Sequence, residues 1–165
     1  MEQIVLDETD LRLLDQLQHD SSMSNQALAE RVHVSPPTCL RRVKRLNDAG
    51  LIERQIAILS ADRLAPLLGF GLIAIVEITL DRQDAERLAE FEARVSRDDA
   101  VQQCYRVSPG PDFCMVVATA DMPSYLALAE RLFTANANVR NVKTFFRVKR
   151  SKLEPLVPLA AIRQA

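Results

Sequence analysis

The spacing of the apolar residues changes once along this chain, near Gly71, and that change limits what it can fold into. Before it, apolar residues recur at helical intervals in three short runs. After it, alternating stretches typical of strands take turns with amphipathic ones. A chain of 165 residues is long enough for two small cores and too short for an (α/β)₈ barrel, which needs roughly 250. We therefore expect a helical unit over residues 1–54, an extended linker and hinge over 55–70, an α/β unit over 71–157 and a tail over 158–165.

The first unit is punctuated by its caps. Asp7 is placed to cap a first helix, with Asp10 three residues on to favour the positive end of the helix dipole. Leu11, Leu13, Leu14 and Leu17 give that helix an apolar stripe ending near His19. Asp20-Ser21-Ser22 interrupts the pattern, and Ser24 opens a second helix over 25–32 with Leu28 and Ala29 inward. Ser35 followed by Pro36 starts a third, because proline at the first helical position has no N–H to leave unpaired. The third helix ends at Gly50, the residue type suited to the left-handed position beyond a helix. The tight turn at His33-Val34 gives the last two helices helix-turn-helix spacing.

At roughly 100° per residue, Leu40, Val43 and Leu46 of the third helix share a sector expected to pack on the other two. Thr38, Arg41 and Arg45 lie opposite, with Pro37 and Lys44 on one flank and Arg42 on the other. Residues 38–47 contain four basic residues and no acid, and residues 140–152 form a second acid-free basic run. Groove binding depends on the local field of a patch, so the net charge of −1 does not exclude it. A basic helix with short Thr38 near its start suits a major groove, where N-terminal residues reach base edges and flanking cations hold phosphates. The predicted DNA-binding residues are Ser35, Pro37, Thr38, Arg41, Arg42, Lys44 and Arg45. Thr38 and Arg41 are assigned to base edges, and Arg42, Lys44 and Arg45 chiefly to phosphates. Double-stranded DNA is the expected partner.

In the second unit, 71–80 reads as a strand apolar on both faces through Val76, which calls for a helix layer on one side and a partner chain on the other. An amphipathic helix follows over 82–96, with Ala85, Leu88, Phe91 and Val95 inward. Residues 101–107 alternate, and Val101, Gln103, Tyr105 and Val107 form the more apolar set, expected to face the core. Ser108-Pro109-Gly110-Pro111 is a turn, and 113–119 a third strand. Asp121 caps a second helix bearing Tyr125, Leu126, Ala129, Leu132 and Phe133, and 139–148 is the last strand. The order β-α-β-β-α-β is that of a ferredoxin-like sandwich, so the fold class is α+β: a helix-turn-helix (winged-helix-like) domain, then this sandwich. Its uncovered sheet face implies a homodimer.

Other function classes find little support. Cys39, Cys104 and Cys114 are far apart with no CxxC pair, and only His19 and His33 join them, so no metal site is expected. Neither histidine falls in the second unit, and no Ser/His/Asp or Cys/His arrangement is visible, which argues against an enzyme. The N-terminus has no basic run leading into an apolar stretch, and 64–76 is broken by Pro66 and two glycines. A cytoplasmic protein is the expectation.

The run Leu6-Asp7…Asp10…Leu14, then Ser24-Asn25…Leu28-Ala29…Val32…Ser35-Pro36…Cys39-Leu40-Arg41-Arg42-Val43…Leu46…Ala49-Gly50-Leu51-Ile52, resembles the leucine-responsive/asparagine-regulator (Lrp/AsnC) transcription factors. Cys104-Tyr105-Arg106-Val107 and Asp112-Phe113 resemble their ligand-sensing and oligomerisation domain. The resemblance covers residues 4–157. It implies a regulator that binds operator DNA as a dimer or as a ring of four dimers, an octamer. It also implies a small effector, usually an amino acid, and no other cofactor. Family effector pockets form around the turn between the middle strands, where dimers meet. Ser108, Gly110 and Asp112 in that turn are the expected effector-binding residues, with Gly110 letting a ligand approach the backbone and Asp112 facing a ligand ammonium, and Thr144 on the last strand matches a family position near the pocket. One departure bears on this: where the family places glycine directly after the Ser108 position, this chain has Pro109, which removes an N–H donor. Two readings stay open, a reshaped effector pocket or a second unit that serves assembly only.

Overall fold

The computed structural model describes residues 4–69 and 71–159, so most of the expected 158–165 tail lies outside the described residues. The chain divides into two compact units, Met1–Ile58 with Lys152–Ala165, and Leu59–Ser151.

The first unit is built on helices α1 (Glu8–His19), α2 (Asn25–Val32) and α3 (Pro36–Asp48). Asp7 and Asp10 form a reciprocal capping box, each carboxylate accepting from the other's backbone N–H. Ser24 caps α2, and His33 closes it in the left-handed region at φ 59°. Gly50, at φ 70°, ends α3 as expected. Leu13, Leu28, Ala29, Val32, Cys39 and Leu46 form the core. The expected inward face of α3 is corrected here by one position: Leu40 is 62% exposed, and Cys39 is buried in its place beside half-buried Val43. Positions 39, 43 and 46 follow the i, i+4, i+7 rule, and a thiol packs as a small hydrophobe.

Beyond α3, residues 53–60 carry neither helix nor strand. Residues 152–159 return to this unit as a strap. The side-chain amide of Gln18 donates to the Val157 carbonyl and accepts from its N–H, each at 3.0 Å. Strap, linker and α1 together line an apolar groove of about 640 Å³ that includes Leu6, Leu14, Leu17, Ile56 and Pro155.

The second unit opens with α4 (Ala61–Leu68), then β1 (Leu72–Leu80), α5 (Ala85–Val95), β2 (Val101–Arg106), β3 (Phe113–Thr119), α6 (Met122–Ala129) and β4 (Val139–Phe146). Between the last two, α6 runs on into a π-helical turn over Glu130–Thr134. The four strands form one antiparallel sheet in the order β2-β3-β1-β4, the ferredoxin-like arrangement. Ala74, Val76, Ile78 and Leu80 of β1 and Phe113, Met115 and Val117 of β3 share one core with Phe91 and Val95 of α5 and Tyr125 and Leu128 of α6.

Three expected facings are corrected in this unit. In β2, Val101 and Cys104 pack on the core, while Tyr105 is 55% exposed and Gln103 is exposed with it. The cause is a bulge between Val101 and Gln103, which inserts one residue and breaks the alternation. Ala85 is exposed because α5 starts only there, behind its Asp84 cap. In α6, Leu126 is exposed and Leu128 is buried, since Tyr125, Leu128 and Leu132 make the inward stripe.

Candidate nucleic-acid interface and effector turn

Helix α3 is fixed to its neighbours at its first turn. Asn25, at the start of α2, donates from Nδ2 to the carbonyl of Pro36 at 2.9 Å. The hydroxyls of Ser35 and Thr38 bond each other at 2.8 Å, so Ser35 terminates the helix geometrically without capping it through its side chain. With Cys39, Val43 and Leu46 turned inward, the outward surface carries Pro37, Leu40, Arg41 and Lys44. Helical spacing puts Pro37, Leu40 and Lys44 in a row, with Arg41 beside it.

The four basic residues of α3 divide into two pairs. Arg42 Nη1 donates to Asp7 Oδ2 at 2.7 Å and to Asp10 Oδ1 at 2.9 Å. Arg45 Nη2 donates to Asp10 Oδ2. The Asp10 side chain is fully buried, whereas those of Arg42 and Arg45 remain 22% and 44% exposed. Two carboxylates at the start of α1 thus grip α3 and offset two of its charges. The hydrogen bond from the Asp10 N–H, and then the Arg42 guanidinium, hold the Asp7 carboxyl below its ordinary 3.8. The same pairing, with Asp7 first, raises Arg42 above its ordinary value. Arg41 and Lys44 form no ion pair among the described residues. Sequence reasoning recognised Asp7 and Asp10 as a cap and missed them as partners of the basic helix, because the contact joins residues more than 30 positions apart.

In the second unit, Ser108, Gly110 and Asp112 fall together in the turn joining β2 to β3. The Ser108–Pro109 peptide is cis, and Gly110 sits at φ 128°, a conformation that only glycine adopts without strain. Asp112 is tied to the end of β1: its N–H donates to the Ile78 carbonyl at 2.8 Å, and Oδ2 accepts from the Leu80 N–H at 2.7 Å. Gln83 Nε2 adds a longer bond to the same oxygen at 3.2 Å. Oδ1 accepts nothing from the described residues. Thr144 is not brought to this turn. It pairs with Val76 from the edge strand β4, with β3 and β1 lying between it and β2, and its hydroxyl bonds the Tyr125 hydroxyl beneath α6.

The sheet face opposite the helices carries Ile75, Val116 and Phe145 in register across β1, β3 and β4, with Tyr105 of β2 beyond. Ile75, on a central strand, is 43% exposed and Phe145, on the edge strand β4, 53%, which leaves an apolar patch open on this face. Glu77 and Lys143 oppose each other on the same face. Among the described residues no three His, Cys, Asp or Glu side chains gather where a metal ion would fit, and no helix is long and apolar enough to cross a membrane.

Comparison with known proteins bears on both units. Residues 6–53 match the winged helix-turn-helix DNA-binding family, and residues 73–157 match the Lrp/AsnC ligand binding domain. The leucine-responsive regulatory protein of Rhizobium meliloti (strain 1021) is 34% identical over 149 residues, covering 90% of this chain and 93% of that protein. A Neisseria meningitidis transcriptional regulator solved as its L-Met complex superposes with a TM-score of 0.83 at 28% identity, over 96% of this chain and 99% of that one. An AsnC family transcriptional regulator from Agrobacterium tumefaciens gives 0.82 at 27% identity, over 95% and 99%.

Proposed function

The chain belongs to the Lrp/AsnC family of DNA-binding transcriptional regulators, and from that premise we propose how its two units divide the work. Helix α3 enters the major groove with Pro37, Leu40, Arg41 and Lys44 facing the duplex. Arg41 and Thr38 reach base edges, Lys44 and the backbone around Ser35 contact phosphate, and Arg42 holds the helix at its proper angle. Arg45, half exposed and already bonded to Asp10, keeps guanidinium edges for a flanking phosphate. The observation that carries this reading is the division of the basic residues: Arg42 and Arg45 are engaged by Asp10, while Arg41 and Lys44 stand exposed on the outward surface without a carboxylate.

The open sheet face pairs with that of a second copy, giving a two-fold dimer whose two α3 helices address half-sites one helical turn or a multiple apart. Assembly of four such dimers into an octamer is proposed from the family alone. A small amino acid is the proposed effector, by analogy with the L-Met complex of the Neisseria protein. It would meet the free Oδ1 of Asp112 and the backbone around Gly110. A second reading has specific support: Asp112 already serves the Leu80 N–H, and Thr144 already serves Tyr125, so the second unit works equally as an assembly module with no effector.

Mobility shifts with the full chain test the DNA reading. Arg41→Ala is expected to lower the ratio of operator to random-duplex affinity by about 5- to 100-fold, the range of one lost bidentate base contact. Lys44→Ala should weaken both equally and flatten the salt dependence by about one unit. An unchanged ratio for Arg41→Ala would sink the assignment.

A further inference from the structure

Leu40 is the one large apolar side chain on the outward surface of α3, and packing does not explain it. The core places of the helix belong to Cys39, Val43 and Leu46, and Leu40 is 62% exposed. Its helical neighbours on that surface are Pro37 three residues before, Lys44 four residues after and Arg41 alongside. Arg41 and Lys44 draw that surface against an anionic duplex, which brings Leu40 to the floor of the major groove at the second turn of the helix.

We propose that Leu40 is a specificity-determining residue that reads thymine through its C5-methyl group. The proposal rests on the DNA-binding reading above and deepens it. The major-groove edges of guanine, cytosine and adenine present hydrogen-bond donors and acceptors to an incoming side chain, and an aliphatic side chain leaves those groups unpaired. The thymine methyl is the apolar feature of that groove. A leucine held there discriminates in two ways at once: it gains contact with the methyl, and it desolvates polar edges without replacing their bonds when another base is present. Its neighbour Arg41 reads by hydrogen bonds, so the two side chains report on different chemistry at adjacent base pairs.

The test uses the full-length protein and duplexes that the wild type selects from a random pool. Each thymine of the selected half-site is replaced in turn by deoxyuridine, which keeps the base pair and removes only the methyl. Wild type should lose about 3- to 5-fold in affinity at one position per half-site, the worth of roughly one buried methyl. Leu40→Ala should bind the selected duplex several-fold more weakly and be indifferent to uracil at that position, while Leu40→Met restores the discrimination. Because Leu40 is exposed, the variants should keep the thermal midpoint and sedimentation coefficient of the wild type. A wild type that selects duplexes yet tolerates uracil everywhere would overturn the role of Leu40 alone. So would a Leu40→Ala variant that keeps the full thymine-over-uracil preference, or one whose assembly changes. A wild type that selects no duplex would overturn the DNA-binding reading and this assignment with it.

Discussion

Removing the carboxylate of Asp10 should loosen the first unit and, in the same step, make it a stickier DNA binder. Asp10 is fully buried and accepts three bonds: from the Asp7 N–H at 3.1 Å, from Arg42 Nη1 at 2.9 Å and from Arg45 Nη2. Orphaning a buried charge costs about 3–5 kcal/mol, but Asp10→Ala removes the buried member and leaves the two arginines, both able to turn to water. Arg42 also keeps Asp7 at 2.7 Å. What is lost is half of a capping box, about 1 kcal/mol, and two charge-assisted bonds discounted for the exposure of their donors. The expected cost is about 2–3 kcal/mol, which for a unit of this size lowers its melting midpoint by roughly 10–20 °C. Asp10→Asn keeps an acceptor for the Asp7 N–H and should lose about half as much. With the Asp10 charge gone, that of Arg45 acts on phosphate without an opposing carboxylate, so the plot of log affinity for random duplex against log salt should steepen by about one unit. Calorimetric melting of the full chain and fluorescence titrations at several salt concentrations read the two effects. A midpoint lowered by less than about 3 °C, or a salt slope identical to that of the wild type, would refute the clamp.

Further outcomes follow from three other residues. The Asp7 carboxyl is held below its ordinary 3.8 in the folded chain, so its contribution to stability is present above that value and is lost as the pH falls through the folded one. Urea midpoints measured from about pH 5 down to about pH 3 should fall more steeply for wild type than for Asp7→Asn. Asp112→Ala should destabilise the second unit by about 1–2 kcal/mol, since the Leu80 N–H loses its acceptor. In calorimetric titrations with amino acids the same variant should bind at least about tenfold more weakly, and equal affinities would restrict Asp112 to holding the turn. Phe145→Glu places a charge on the open sheet face and should give a monomer in sedimentation at micromolar concentration; an unchanged dimer would place the interface elsewhere.

What could be read in advance was the chemistry that acts over a few residues. Asp7, Ser24 and Asp121 cap helices, Gly50 closes one, and Ser108 to Pro111 turn the chain, each through groups close to its own backbone. The strand order follows from the element order, since two crossovers over one face leave a single convenient arrangement. Facing was harder. Leu40 looked inward because a leucine outweighs a cysteine in any apolar stripe, yet the three-helix core has room at 39 for a thiol. Tyr105 looked inward because strict alternation was assumed, and a bulge leaves no mark in composition. The candidate sites suffered most from distance along the chain. The partners of Arg42, Arg45 and Thr144 lie 19 to 35 residues away, and no local pattern announces them.

The strap that joins Val157 to Gln18 has a consequence for how this protein is made. A ribosome delivers the three helices well before residues 152–159, with the whole of Leu59–Ser151 in between. At about 5–20 residues per second, that interval lasts on the order of 5–20 s. Throughout it, Leu6, Leu14 and Leu17 lack the wall that Pro155 and Val157 later supply, and the side-chain amide of Gln18 has only water and Asp15 to bond. The helical unit is therefore begun before Leu59–Ser151 is made and finished only after it. A fragment ending at residue 58 would stay permanently at that stage, with an open apolar groove that invites chaperones or other nascent chains.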